Sequence, residues 1–199
     1  VKNIITIQHT QAVHHTNGMV GSWTDWELSE LGKAQAENIG RKLSVELKGK
    51  DWKIYSSDLI RAKQTAAPLA RSMGIEIEYR PALREINYGK AVGQTKEWMK
   101  ENALPVKTYD DPEFPGAETW GAFWKRVSDY CGEIVANEAN NIILVSHGGT
   151  LAVWSHVWCD SGIQKIEKYG PAGAVSFMRI DEDGKHVVDL LNDISYMSD

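Results

Sequence analysis

Ile142-Ile143-Leu144-Val145-Ser146-His147 is an unbroken apolar run that ends on a histidine, and Ile4-Ile5-Thr6-Ile7-Gln8-His9 repeats the arrangement near the start of the chain. Continuous apolar runs of this length suit strands buried on both faces of a parallel sheet, where no alternation with solvent is needed. In open α/β sheets, ligands bind outside the carboxyl ends of the strands, so two strand-end histidines at that edge can share one crevice. Gly148-Gly149, directly after the second histidine, lets backbone come close to a ligand. A solvated strand end would account for either histidine alone; two at the same structural address favour a site.

Working outward, Trp52 to Ser56 is a third strand candidate. Ser29 can cap a helix in which Leu31, Ala34, Ile39, Leu43 and Leu47 recur at helical spacing, with Gly49 as its stop. Asp58 can cap a second helix with an inward face of Leu59, Ala62, Ala66, Leu69 and Met73, ending at Gly74. Asn102 to Glu118 carries Pro105, Pro112, Pro115 and Gly116 and reads as a long excursion; we expect a lid over about 90–118, since long loops in compact domains are often functional. Helical periodicity returns from Thr119 to Glu138 through Trp120, Phe123, Trp124, Val127, Cys131, Ile134 and Val135. Val175 to Ile180 and Val187 to Leu191, joined at Asp183-Gly184, predict an antiparallel hairpin. The expected fold is a three-layer α/β/α sandwich with a mostly parallel central sheet, formed by residues 1–199 as one domain.

Bulk properties narrow the function classes. The 199 residues are 42% hydrophobic and 25% charged, which suits one core. A net charge of −5 argues against a general nucleic-acid binder, because affinity for the phosphate backbone needs a basic face. Cys131 and Cys159 are too few for a disulfide framework and are expected to be reduced. The apolar run at Val1 to Gln8 is far shorter than a signal-peptide core, and no stretch approaches the roughly 20 apolar residues of a membrane span. The expectation is a cytoplasmic protein without a membrane partner.

Two further positions add chemistry to the same edge. Arg61, in Tyr55-Ser56-Ser57-Asp58-Leu59-Ile60-Arg61-Ala62, falls in the first turn of a helix, beside unpaired N–H groups and the positive end of the dipole, where an anion is favoured. Glu85, in Leu83-Arg84-Glu85-Ile86, is a carboxylate between apolar residues; partial desolvation would raise its pKa and suit it to proton donation. Taken singly, an arginine at the place of Arg61 is more often a surface charge, and Glu85 reads equally as a surface carboxylate.

Taken in order, strand-His9, Tyr-Ser-Ser-Asp-Leu-x-Arg61-Ala-x-Gln-Thr, Leu-Arg-Glu85-Ile-x-x-Gly, Pro115-Gly-Ala-Glu-Thr and Val-Ser-His147-Gly-Gly resemble the histidine phosphatase superfamily in its phosphoglycerate mutase-like branch. The resemblance runs from Ile4 to about Asn192. It implies a phosphoglycerate mutase-like fold, His9 as nucleophile, and catalytic roles for Arg61, Glu85 and His147 on a small phosphorylated substrate. A neutral imidazole can hold the phosphoryl group as a phosphohistidine, and Arg61 with a protonated His147 would neutralise its oxygens. Neither a metal nor another cofactor is then required.

The first motif departs from the family's Arg-His-Gly, reading Gln8-His9-Thr10. Glutamine offers one neutral amide where arginine offers a charged fork, a loss of roughly 1.5 to 3 kcal/mol in one contact. Thr10 would either crowd the phosphate or donate its hydroxyl to it. His15, where the family usually has asparagine, and its neighbour His14 are a polar loop pair or, if one is protonated, a replacement for the missing charge. Gln8, Thr10, His15, Arg61 and Gly148 are the expected phosphate contacts. His9, His14 and His15 have no zinc-site spacing and no evident acidic or thiolate partner. Trp23 and Trp26 invite a sugar-stacking role, with burial as the commoner explanation. The leading expectation is phosphomonoester hydrolysis through phospho-His9; the alternatives are a mutase and a phosphate-binding regulatory protein weakened by Gln8.

Overall fold

The computed structural model describes residues 1–166 and 168–198. Among the described residues, eleven strands and α-helices follow one another: β1 (Lys2–Gln8), α1 (Glu30–Glu46), β2 (Lys53–Ser56), α2 (Ile60–Met73), β3 (Ile77–Tyr79), α3 (Lys96–Asn102), α4 (Trp120–Ala136), β4 (Asn141–Ser146), α5 (Gly148–Trp158), β5 (Val175–Ile180) and β6 (His186–Asp193). The strands form one sheet in the order β3-β2-β4-β1-β5-β6. β1, β2, β3 and β4 are parallel, and β5 and β6 add the antiparallel hairpin at one edge. In the β1/β4 register Gln8 lies opposite Ser146, which brings His9 and His147 out together at the carboxyl edge.

The pleat sorts the apolar runs into two cores. Ile4, Tyr55, Ile142 and Leu144 face α4 and α5 through Phe123, Val127, Ile134, Trp154 and Trp158. Ile5, Ile7, Ile54, Ile143 and Val145 face α1 and α2 through Ile39, Leu43, Ala62, Ala66 and Leu69. Both sheet faces are therefore covered, as the continuous apolar runs require.

Two local readings are corrected. Leu31 is 55% exposed and Ala34 also faces solvent; the inward face of α1 is Gly32, Ala36, Ile39, Gly40 and Leu43. Glycine decides this face. A Cβ on Gly40 would lie 2.8 Å from the Leu69 backbone nitrogen, and one on Gly32 would overlap the Gln11 carbonyl. The helix thus presses its smallest residues against α2 and the loop after β1, a contact that hydrophobicity counting does not see. Asp58 does not cap α2. It forms a two-pronged ion pair with Arg84 at 2.6 and 2.7 Å, while Asp25 from the first loop accepts the Ile60 N–H at 3.1 Å.

Cys131 is buried in α4, whereas Cys159 is exposed just past the end of α5. The 90–118 excursion contains α3, and β3 is only three residues long; neither follows from periodicity in the sequence. Among the described residues, no helix is long and apolar enough to cross a membrane.

Candidate active site

β1 delivers His9 to the sheet edge in a fixed tautomer. His9 Nδ1 lies 2.8 Å from the Thr10 carbonyl, which can only accept, so Nδ1 carries the proton and Nε2 keeps its lone pair. The Arg61 Nε–H donates to that nitrogen at 3.2 Å. Burial, and after it the neighbouring guanidinium, hold the imidazole well below its usual pKa. The result is a neutral, oriented nucleophile.

Arg61 is held by the loop after β1. Its other two nitrogens donate to the Ser22 and Thr24 carbonyls, each at 2.7 Å. Burial lowers its pKa to about 10, which leaves it charged at neutral pH. Of five N–H donors three are engaged in this way, so the fork retains donors for an anion.

His147 stands differently from the expectation. Its ring meets that of His9 edge-on at 5.1 Å, but it is fully buried and lies behind the cavity wall instead of facing His9 across the cavity. Its Nε2 pairs with Ser57 Oγ at 2.8 Å, and its buried Nδ1 has no hydrogen-bond partner. Burial, then Arg61, hold it well below the ordinary histidine range, so it is neutral in the free protein and not protonated as anticipated.

Glu85 is placed by three elements. The backbone N–H groups of Ile86 and Gly149 donate to its two oxygens at 2.9 and 3.0 Å, and Trp23 Nε1 holds its backbone carbonyl at 2.7 Å. Burial raises its pKa despite those donors. Trp23 is thus a structural strut, and Trp26 likewise spends its indole N–H on the Val20 carbonyl at 3.1 Å.

These groups surround a cavity of about 520 Å³ whose wall includes Gln8, His9, His14, His15, Arg61, Glu85 and Gly148. Thr10 is not in the wall. It is wholly buried, and its hydroxyl donates to the Gly32 carbonyl at 2.7 Å, so it neither crowds the cavity nor reaches into it. His14 and His15 line the cavity, but burial, helped by Arg61 and Lys96, lowers them to about 3 and about 4. They are neutral donors at pH 7, not the substitute charge.

Lys96, at the first turn of α3, lines the cavity and was not marked by the sequence. The Lys96 N–H donates to the Gly18 carbonyl at 2.9 Å and the Val20 N–H to the Gln94 carbonyl at 2.9 Å, which pins α3 to the histidine-bearing loop. Only the tertiary contact brings this lysine to the site. Tyr88 and Tyr169 complete the wall and were likewise missed.

His9, His14 and His15 present ring nitrogens within 4.8 Å of one another, a spacing open to metal binding. The electrostatics point elsewhere: Arg61 and Lys96 stand beside the cluster, and the His9 Nε2 lone pair already accepts the Arg61 N–H. A dication would meet repulsion here, and an anion would meet two cations and several N–H donors.

The whole-chain comparison fits that chemistry. Residues 4–193 match the model of the histidine phosphatase superfamily, branch 1. The chain belongs to this superfamily. A metal-independent phosphoserine phosphatase of Arabidopsis thaliana is 27% identical over 100% of this chain and 84% of its own length. A 2,3-bisphosphoglycerate-dependent phosphoglycerate mutase of Methylocella silvestris is 29% identical over 74% of this chain and 77% of its own. The crystal structure of an alpha-ribazole phosphatase from Shigella flexneri shares the fold at a TM-score of 0.82 and 18% identity, with 96% of each chain covered. The histidine phosphatase domain is an enzyme, and phosphatase is the activity its relatives support.

Proposed function

We propose that this chain hydrolyses small phosphomonoesters through a phosphohistidine on His9, without a metal ion. The observation that carries the reading is the Nδ1–H contact of His9 to the Thr10 carbonyl at 2.8 Å, which leaves Nε2 as a neutral nucleophile against a fixed guanidinium. In the first step the Nε2–P bond forms as the ester P–O bond breaks, and Glu85 gives its proton to the departing oxygen. The Arg61 N–H released by His9 turns to the phosphoryl oxygens. In the second step water attacks phosphorus, its proton passes to Glu85, and the N–P bond breaks. The neutral imidazoles of His14 and His15 contribute hydrogen bonds, His147 backs the His9 ring, and Lys96 supplies charge at the wall that Gln8 does not. Residues 90–118, which carry Lys96, act as the lid. Fixed cations stand where other phosphoryl-transfer sites place magnesium, and the Arabidopsis relative is named as metal-independent.

The mutase relative favours a second reading, in which the phosphoryl group returns to another hydroxyl of the same substrate. Incubation with a panel of phosphomonoesters, including phosphoserine and 3-phosphoglycerate, in the presence of a chelator separates the two. Phosphate release with acid-labile labelling, both lost in His9→Ala, is the expected result. Isomerised phosphoglycerate without net release would establish the mutase, and release that survives His9→Ala would remove His9 from the mechanism.

A further inference from the structure

Next to the catalytic cavity lies a second, larger one of about 800 Å³, and the two share Ile86, Tyr88 and Tyr169 in their walls. The Glu85 carboxylate is close enough to both tyrosines to shift their phenol pKa upward, Tyr169 to about 12, although burial is the larger cause for each. Tyr88 is fixed in place: its N–H donates to Ser22 Oγ at 2.9 Å, and its ring packs edge-on against the wholly buried Phe114 at 6.0 Å. Beyond the pair, the outer wall offers Leu104, Val106, Tyr109, Trp120 and Ile166. Leu104 is 43% and Val106 51% exposed, apolar surface left uncovered beside a binding cleft.

We propose that this outer cavity is a leaving-group subsite, and that the preferred substrates are phosphomonoesters of alcohols bearing a bulky, uncharged aromatic or aliphatic group. The inference rests on the phosphatase reading above. The phosphoryl group occupies the inner cavity, the ester oxygen lies between Tyr88 and Tyr169 within reach of Glu85, and the organic group fills the outer cavity. Charge argues against a second phosphate there, because Lys107 and Lys165 share the wall with Asp111 and Glu113, while Glu118 is already paired with Arg126. A separate recess of about 440 Å³ that also borders Tyr88 carries Lys96 and Lys100 with a single carboxylate, Glu113, and an anionic group would turn that way. Small polar leaving groups would leave the apolar wall wet.

The test uses a pair whose leaving alcohols have nearly equal pKa, ethyl phosphate and 2-(2-naphthyl)ethyl phosphate, so that intrinsic reactivity cancels. The naphthyl ester should have a kcat/KM about thirtyfold higher, the factor expected from burying roughly 80 Å² of apolar surface. Val106→Asp, at an exposed position of the outer wall, should erase most of that preference, read as the ratio of the two kcat/KM values within the variant. The corresponding phosphonates, which cannot be cleaved, read the subsite by calorimetry even where nothing is turned over. Turnover failing while naphthyl phosphonate still binds about thirtyfold tighter than ethyl phosphonate would sink the phosphatase reading and keep the subsite. Equal binding of the two phosphonates, or tighter binding of an alkane bisphosphonate than of the naphthyl compound, would overturn the subsite.

Discussion

Gly149 and Glu85 fit together as backbone and side chain of one device: the Gly149 N–H donates to Glu85 Oε2 at 3.0 Å, and a Cβ on residue 149 would overlap Oε1. Close approach at the start of α5 therefore sets where the carboxyl group stands. Gly149→Ala must displace the carboxylate, since the other side of the contact is a backbone N–H that cannot retreat. If Glu85 protonates the departing oxygen, kcat on an alkyl phosphate should fall roughly a hundredfold, the lower range of a lost general acid. On p-nitrophenyl phosphate, whose leaving group departs as a stable anion, the fall should be several times smaller. Equal losses on both substrates would show that Glu85 is not the acid.

The pKa shifts of His9 and Glu85 oppose each other in a useful way. His9 acts unprotonated, and its pKa is depressed by burial and Arg61, so activity lost on acidification should begin well below the ordinary imidazole value of 6.5. Glu85 acts protonated, and burial raises its pKa above 4.5, so the alkaline decline should begin above the usual carboxylate range. After correction for the substrate's own phosphate ionisation, kcat/KM should describe a bell whose acid limb belongs to His9 and whose alkaline limb belongs to Glu85. Glu85→Gln should remove the alkaline limb. An acid limb near 6.5 in the wild-type protein would contradict the buried, neutral His9.

Much of this arrangement was legible in the sequence, and the part that was not has a physical reason. The convergence of His9, Arg61 and His147 is readable because strand ends and a first helical turn have fixed addresses in a parallel sheet, whereas Glu85 is marked only by its apolar neighbours. Lys96 and Tyr169 were not readable, because they reach the site from α3 and the loop before β5 through tertiary contacts that leave no local pattern. Thr10 follows His9 in sequence and His147 has the matching strand-end address, yet the Thr10 hydroxyl turns to the Gly32 carbonyl and the His147 ring is wholly buried beside His9. The inward face of α1 was misread because glycine contacts carry no hydrophobic signal.

That glycine face gives its own test. A Cβ on Gly32 would overlap the Gln11 carbonyl, part of the loop that leads out of His9, and the obstacle is backbone. Gly32→Ala should cost about 1 to 3 kcal/mol as an overpacked site, despite the better helix propensity of alanine. Ala34→Glu, on the exposed face that hydrophobic spacing had assigned to the core, should change stability by less than about 0.5 kcal/mol. Urea unfolding of both variants checks the pair, and the reverse ranking would restore the face read from spacing.

Gln8 and Lys96 stand in the wall of the same cavity, but only Lys96 is charged. Lys96→Met should lower kcat/KM for a small phosphomonoester by one to two decades, the equivalent of about 1.5 to 3 kcal/mol for a charged contact. Gln8→Arg should recover a decade or more in that background and raise turnover in the wild type. Should Lys96→Met leave kcat/KM unaltered, the lysine is a solvated rim charge; should Gln8→Arg lower activity, residue 8 is fitted to a neutral part of the ligand.

His14 makes folding stability depend on pH with a definite sign. Its buried Nδ1 lacks a partner, and its pKa falls from 6.5 to about 3, chiefly through burial and then through His15. The unfolded chain therefore takes up a proton near pH 6.5 that the folded chain refuses until far lower pH. Stability from this group is present above 6.5 and is lost as pH falls from 6.5 toward 3, with a slope of at most about 1.4 kcal/mol per pH unit. His15, lowered to about 4, adds to the same trend with a weaker, solvent-screened contribution. Between pH 6.5 and 5, where most carboxylates remain ionised in both states, His14→Gln should lose roughly 1 kcal/mol less stability than the wild type. Chemical denaturation at the two pH values measures the difference. Phosphate added at pH 5 should narrow it, because an anion bound beside the imidazoles favours their protonation in the folded state; a wild-type stability flat over this range would mean that His14 is not held neutral.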